Sequence, residues 1–158
     1  MKLKTTLLSL LLLSSFTLAD KIVTRYPVNG DILDYSGFVV SFRNAQGIKN
    51  TYPLASIKSI VIDGLDEFNA AEVLRTKKKY NEAIEKYDVA ASRTRRDYHK
   101  LLIRDRSYMT MQLAGLTSKA VKTWITLVKD AKYTSASLGV VPTTFSAKGS
   151  EENTSAIE

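Results

Sequence analysis

The chain has 158 residues, of which 25% are charged and 44% hydrophobic, and its formal net charge is +7. These proportions are those of a globular protein, so they exclude a chain that is disordered throughout. The lack of cysteine excludes a disulfide framework, a zinc–thiolate site and a cysteine nucleophile. The moderate positive charge favours anionic partners without specifying a fold.

The first 19 residues have the pattern of a secretory signal peptide. Lys2 and Lys4 form a basic start, residues 7–13 are leucine except for one serine, and the segment ends on the small residue Ala19. We therefore predict cleavage between Ala19 and Asp20, which places the mature protein in the periplasm or outside the cell. An uncleaved anchor is the alternative, but a membrane span takes roughly 20 apolar residues. No later segment reaches that length, so no membrane span is expected after signal removal.

Residues 20–63 are predicted to form a small antiparallel β module. The dipeptide Asn29-Gly30 is typical of a tight hairpin turn, because both residue types tolerate positive φ. Gly37 predicts a bulge or a sharp bend, and residues 44–47 predict a second turn. Pro53 ends a strand because proline has no N–H to donate. Four short strands with frequent turns indicate a strongly bent sheet or a partial barrel.

The spacing of these turns, with Ile57 and Ile60 in the last strand, resembles the SH3-like or Sm-like β modules of many exported bacterial proteins. The resemblance covers about 40 residues and rests on a loose pattern. It implies a compact β module and does not imply a particular ligand.

Residues 64–132 are predicted to be helical and contain no proline. Breaks are expected at residues 77–79, at residues 92–96 and at Gly115, which gives four helices. Asp63 is predicted to cap the first helix. Residues 133–158 are rich in serine, threonine, glycine and acidic residues, so we expect an extended or disordered C-terminal tail.

An internal repeat lies within the helical region. The sequence Ala-Ile-Glu-Lys-Tyr at 83–87 recurs 37 residues later as Ala-Val-Lys-Thr-Trp at 120–124. Each copy places a small residue and, four positions later, an aromatic residue on one helix face. The small residue lets a neighbouring helix approach, and the aromatic residue fills the groove between the pair. We therefore predict antiparallel helix pairs with Tyr87 and Trp124 buried between them.

The first copy has the pattern Ala71-x-x-Leu74-x5-Tyr80-x-x-Ala83-x3-Tyr87. This pattern resembles a tetratricopeptide repeat (TPR). The second copy departs from the family, because Tyr108 stands where the family has glycine or alanine. The resemblance implies an α+β protein in which a small N-terminal antiparallel β module precedes a four-helix, TPR-like array of α-hairpins. Two helical hairpins with coincidental spacing are the alternative.

The same resemblance implies a binding site for a protein or peptide partner. In that family the first helix of each pair lines a concave groove. Carried over by position, the partner-binding residues are Asn69, Glu72, Arg75, Arg106, Met109 and Gln112. The alternative is that two repeats form no usable groove and that these residues are merely exposed.

Basic residues at 75–79 and 93–106 support a second functional hypothesis, a binder of anionic cell-envelope polymers or lipids. The interleaved tyrosines also suit nucleic-acid binding. However, export disfavours nucleic acid, acidic residues dilute the charge, and the tyrosines fall at core positions of the repeat. A solvated surface remains the plainest interpretation. Binding of a polyanion would weaken steeply with salt, whereas apolar groove binding would not.

Catalysis finds little support in the sequence. His99 is the one histidine, and no nucleophile motif accompanies it. Asp63, Asp66 and Glu67 lack the spacing of a calcium-binding loop, and no glycine-rich phosphate loop is present. We therefore expect a non-enzymatic protein without a cofactor or a metal site.

Overall fold

The computed structural model describes residues 19–129, which form a five-stranded antiparallel sheet followed by four helices. The strands are β1 (Asp20–Val23), β2 (Pro27–Ser36), β3 (Val39–Asn44), β4 (Lys49–Pro53) and β5 (Ser59–Val61). The helices are α1 (Asp66–Thr76), α2 (Tyr80–Arg93), α3 (Asp97–Leu113) and α4 (Thr117–Lys129). The predicted α+β class is confirmed. The predicted tail and residues 1–18 of the predicted signal peptide lie outside the described residues.

The strands are ordered β4-β3-β2-β1-β5, so the last strand returns to lie beside the first. The register of β2 against β3 shifts between Ile32 and Asp34. Because side chains alternate along a strand, this bulge lets both Ile32 and Tyr35 face the core. β2 thereby reaches the helices with Tyr35.

The predicted hairpin turn at Asn29-Gly30 is wrong, because both residues lie inside β2 and pair with β1. The turn between these strands falls at residues 24–26, which makes five strands instead of four. Glycine is required at position 30 for a different reason, because a Cβ there would lie 2.0 Å from the carbonyl oxygen of Arg43. The sharp bend predicted at Gly37 is a two-residue turn in which Gly37 and Phe38 both have positive φ, 54° and 62°.

The predicted helix breaks are confirmed, but the predicted cap is not. The breaks at residues 77–79, 92–96 and Gly115 separate the four helices. Asp63 does not cap α1, because the N-cap residue is Leu65 and makes no side-chain cap bond. The N–H of Asp63 instead donates to Asp20 Oδ1 at 2.9 Å.

The internal repeat is visible in the helix boundaries. The ends of α1 and α3 lie 37 positions apart, as do the starts of α2 and α4. Both first helices end in the same hydrogen-bond pattern, a Schellman motif. In the first copy, the N–H of Lys78 donates to the Arg75 carbonyl and the N–H of Lys79 donates to the Leu74 carbonyl. In the second copy, the N–H of Gly115 donates to the Gln112 carbonyl and the N–H of Leu116 donates to the Met111 carbonyl. The structure therefore contains two related helical hairpins.

We expect Lys78→Gly to raise the free energy of unfolding by about 0.5–1 kcal/mol. Lys78 has a φ of 61°, whereas the equivalent residue of the second copy is Gly115 with a φ of 73°. A side chain in this left-handed conformation is strained, and glycine removes the strain. Urea unfolding followed by circular dichroism measures the change. Lys78→Ala removes the same charge, so equal stability of the alanine and glycine variants would contradict this account.

Candidate functional site

The six residues predicted to bind a partner do not form one exposed groove. Glu72 and Arg106 are 3% and 0% exposed, and the other four are half-buried. The β module lies against this side of α1 and α3. The assignment of Glu72 and Arg106 to an exposed groove is therefore corrected, because the sheet covers both side chains.

A buried ion pair lies at the centre of this interface. Arg106 Nη2 donates to Glu72 Oε2 at 2.5 Å, and Arg106 Nε donates to Glu72 Oε1 at 2.8 Å. The Tyr87 hydroxyl donates to the same carboxylate. Burial alone would lower the pKa of Arg106, but the hydrogen bonds and charge of Glu72 outweigh burial and raise it. Burial and the charge of Glu72 raise the pKa of Tyr87, so its hydroxyl stays a donor.

Side chains of the helices also bind the backbone on either side of β5. Arg106 donates to the carbonyls of Ile57 and Lys58 at 3.0 and 3.2 Å. Arg75 Nη1 donates to the Lys58 carbonyl at 3.1 Å. The N–H of Ile60 donates to Glu72 Oε2 at 2.9 Å. The helices thus satisfy backbone groups at an edge of the sheet that would otherwise be unpaired.

The remaining predicted residues also make contacts within the protein. Asn69 accepts the N–H of Ile62 at 2.8 Å and donates to its carbonyl at 2.9 Å. Gln112 donates to the Tyr108 hydroxyl at 3.0 Å, and Met109 packs against the core. The positions that the TPR resemblance assigned to a partner therefore largely hold an extended segment of this chain.

The opposite side of α3 is open, and we call it the α3 groove. The more apolar part of the α3 groove is a depression of about 430 Å³ between α2, α3 and α4. A second depression, of about 620 Å³, lies between β2 and the start of α3. Leu101 lines both depressions. Lys100, Arg104, Ser107 and Met111 line the first depression at helical spacing, on the side of α3 away from Met109.

One polar group in the α3 groove stands out. Ser107 is 4% exposed, and its hydroxyl has no hydrogen-bond partner among the residues that the structure describes. Buried polar groups are normally hydrogen-bonded, so this hydroxyl is an exception in the wall of the groove. No local sequence pattern marks Ser107, because its surroundings depend on three helices meeting around it.

The basic residues do not form one continuous surface. Residues 77–79 connect α1 to α2, whereas Arg93, Arg95 and Arg96 lie at the other end of α2. A helix of 14 residues separates the two clusters, which is a distance of about 20 Å. Glu67 also forms ion pairs with Lys86 and Arg93, at 2.8 and 3.0 Å. The charge is therefore divided between the two ends of α2.

The one histidine predicts a pH dependence of stability. Burial lowers the pKa of His99 below its ordinary value, Arg96 lowers it further, and Asp20 opposes the shift. The unfolded chain therefore binds a proton more readily than the folded protein. Stability contributed by neutral His99 is present above pH 6.5 and is lost as the pH falls below that value. Thermal melts between pH 7.5 and 5 should show a smaller fall in Tm for His99→Gln than for the unsubstituted protein, and equal falls would contradict the assignment.

Comparison with known proteins leaves the chain without an assigned family. No protein-family model, no curated protein and no solved structure matches it. Within residues 19–129, no helix is long and apolar enough to cross a membrane. The same part of the chain holds no group of three or more acidic or histidine side chains arranged to bind a metal.

Proposed function

We propose that this protein is an exported, non-enzymatic interaction module whose helical repeats bind a protein or peptide partner in the α3 groove. The observation that carries the proposal is the open, mostly apolar groove on one side of α3. The other side of α3 is committed to the sheet through Arg106. The volume of the depression is in the range of ligand-binding clefts. The TPR resemblance adds the precedent of paired helices that bind peptides.

The groove chemistry favours binding over catalysis. Among the groove-lining side chains, the Ser107 hydroxyl most resembles a nucleophile. A serine nucleophile needs an adjacent base. His99 is 4% exposed and is not among the groove-lining residues. The groove therefore offers mainly an apolar wall, which suits recognition.

Export is part of the proposal and predicts a mature chain that begins at Asp20. β1 begins at this residue, directly after the predicted cleavage site. The Asp20 carboxylate accepts hydrogen bonds from the N–H groups of Ile32 and Asp63, each at 2.9 Å. The first residue of the predicted mature chain therefore contributes to the fold. Mass spectrometry of the exported protein should give a chain starting at Asp20. A chain that still starts at Met1 and sediments with membranes would contradict the prediction.

The docking site is tested with a pair of matched substitutions. Leu101→Asp introduces a charge at a side chain that lines both depressions. Val73→Asp introduces the same charge on α1, at a side chain that is 52% exposed and does not line the groove. A partner captured from envelope extract should be retained by the Val73 variant and lost by the Leu101 variant, while both variants melt cooperatively. Equal retention by both variants would place docking elsewhere.

A second candidate function is binding to anionic envelope polymers or lipids. The exposed lysines at residues 77–79 favour it, because they are grouped in one loop. Reversing all three charges should abolish such binding, and salt should weaken it. Partner binding in the α3 groove should survive the same triple substitution.

A further inference from the structure

We propose that the open edge of the sheet, along β4, pairs with the same edge of a second copy of this protein. The two edges of the sheet are β4 and β5. Helix side chains already bind backbone groups at and beside β5. Within residues 19–129, no strand pairs with the outer side of β4. An edge strand presents N–H and C=O groups that can pair with another chain.

The hydrogen bonds between β3 and β4 show which backbone groups face outward. The N–H of Asn44 donates to the Ile48 carbonyl where the ladder begins. In an antiparallel pair, every second residue of a strand bonds to its neighbour. Asn50, two positions after Ile48, therefore bonds to β3. Lys49 and Thr51 alternate with it, so they direct their N–H and C=O groups away from the sheet.

These outward groups fit a second copy in an antiparallel register centred on Asn50. In this register Lys49 lies opposite Thr51 of the second copy, and the twofold symmetry forms the same pair again. Each pair exchanges both of its backbone hydrogen bonds. Pro53, which has no N–H to donate, lies outside the paired residues. The edge is therefore self-complementary over its exposed central residues.

The same register covers an exposed apolar side chain. Ile48, directly before β4, is 58% exposed. Because side chains alternate along a strand, Ile48, Asn50 and Tyr52 lie on one face. Centring the pair on Asn50 places Ile48 opposite Tyr52 of the second copy. Tyr52 is half-buried against Phe42, with ring centroids 6.3 Å apart. Pairs of an aromatic and a β-branched side chain stabilise neighbouring strands.

Other symmetric registers satisfy fewer groups. Centring on Thr51 would place Lys49 opposite Pro53, which cannot donate. The Pro53 carbonyl already accepts the Ser56 hydroxyl at 2.7 Å. That register would also leave Ile48 exposed. Centring on Lys49 would place two like charges directly opposite each other, which is destabilising. The observations therefore favour the register centred on Asn50.

Pairing along β4 should stop at two copies. The outer edges of the combined sheet would be β5 of each copy, where the helices bind the backbone. The contact is smaller than a standard interface, so we expect a weak dimer with a Kd on the order of 0.1 mM. Sedimentation of the exported protein at rising concentration should show its mass increase from monomer to dimer.

Cysteine cross-linking tests the register. The chain has no cysteine, so each variant carries a single thiol. Asn50→Cys places the two Cα atoms about 4.5 Å apart, within the range of a disulfide. Thr51→Cys is a matched control at the next exposed position, and its Cα atoms would lie about 7–8 Å apart, beyond that range. We expect the Asn50 variant to form a disulfide-linked dimer at least about fivefold faster.

Charge substitutions test the pairing of Lys49 with Thr51 of the second copy. Thr51→Glu should tighten the dimer by about two- to tenfold, because a carboxylate then faces the lysine. Thr51→Lys should weaken it by a similar factor. Lys49→Glu combined with Thr51→Lys exchanges the two charges and should restore the affinity of the unsubstituted protein.

A further pair of variants tests the apolar contact. Ile48→Ser should weaken the dimer by about tenfold or more, because the side chain is covered in both copies. Val73→Ser is the matched control, since Val73 is 52% exposed on α1 and lies outside β4. It should leave the dimer unchanged.

Two results would overturn the inference. One is a protein that stays monomeric at every concentration up to about 1 mM. The other is a dimer whose affinity changes with neither Ile48→Ser nor Thr51→Lys, which would place the contact elsewhere. The inference goes beyond the proposed function, because the residues that line the α3 groove do not belong to β4. The Leu101 and Val73 aspartate variants test that groove separately.

Discussion

Arg106→Met should lower the free energy of unfolding by about 3–5 kcal/mol. The substitution leaves the Glu72 carboxylate, which is 3% exposed, without its compensating charge. It also removes the donors that satisfy the carbonyls of Ile57 and Lys58. Both losses occur where the helices hold the sheet, so the whole body should be destabilised. Chemical unfolding followed by far-ultraviolet circular dichroism measures the change.

Two further variants separate the buried charge from general packing. Glu72→Gln combined with Arg106→Met removes both charges, so the double variant should be more stable than Arg106→Met alone by at least about 1 kcal/mol. Arg75→Met removes a half-buried cation that donates to the Lys58 carbonyl in the same interface. It should cost about 1 kcal/mol or less. An Arg106→Met protein within 1 kcal/mol of the unsubstituted one would show that the pair does not hold the sheet and helices together.

Tyr87→Ala should lower the free energy of unfolding by about 3–5 kcal/mol by leaving a cavity between the helices. The Tyr87 side chain is 0% exposed, and its ring packs against Phe68 with centroids 5.7 Å apart. Tyr87→Phe keeps the ring but removes a donor to buried Glu72, so it should cost about 1–2 kcal/mol. Thermal and urea unfolding measure both changes. An unchanged Tm for Tyr87→Ala would remove the main support for the helical repeat.

The two copies of the repeat differ at this aromatic position. The prediction that Tyr87 is buried is confirmed, whereas Trp124 is only partly buried against the core. In the first copy the aromatic side chain lies between helices and donates to an ion pair. Sequence periodicity identifies the shared face but does not show how much of the chain covers it.

Features encoded by neighbouring residues were predictable. The helix breaks follow from local sequence, as at Gly115, which ends α3 with a positive φ of 73°. The Asn29-Gly30 turn failed because the same dipeptide satisfies another requirement, the close approach of β3 to Gly30. The Asp63 cap failed because α1 begins at Asp66 and its N-cap residue is Leu65, two positions beyond Asp63.

The candidate site was harder to predict because distant segments form it. The repeat pattern placed Glu72 and Arg106 on the same side of the helices. It did not show that β5 would cover them, which depends on pairing between Ile22 and Ile60. The α3 groove depends on α2, α3 and α4 meeting around Ser107. No local pattern of residues marks that arrangement.

The most direct test of the proposed docking site is site-specific photo-crosslinking of the exported protein. A photoreactive residue at position 100 would lie in the α3 groove, and one at position 77 would lie in the exposed α1–α2 loop. Our account predicts one partner adduct from position 100 and none from position 77. An adduct from position 77 with none from position 100 would contradict it.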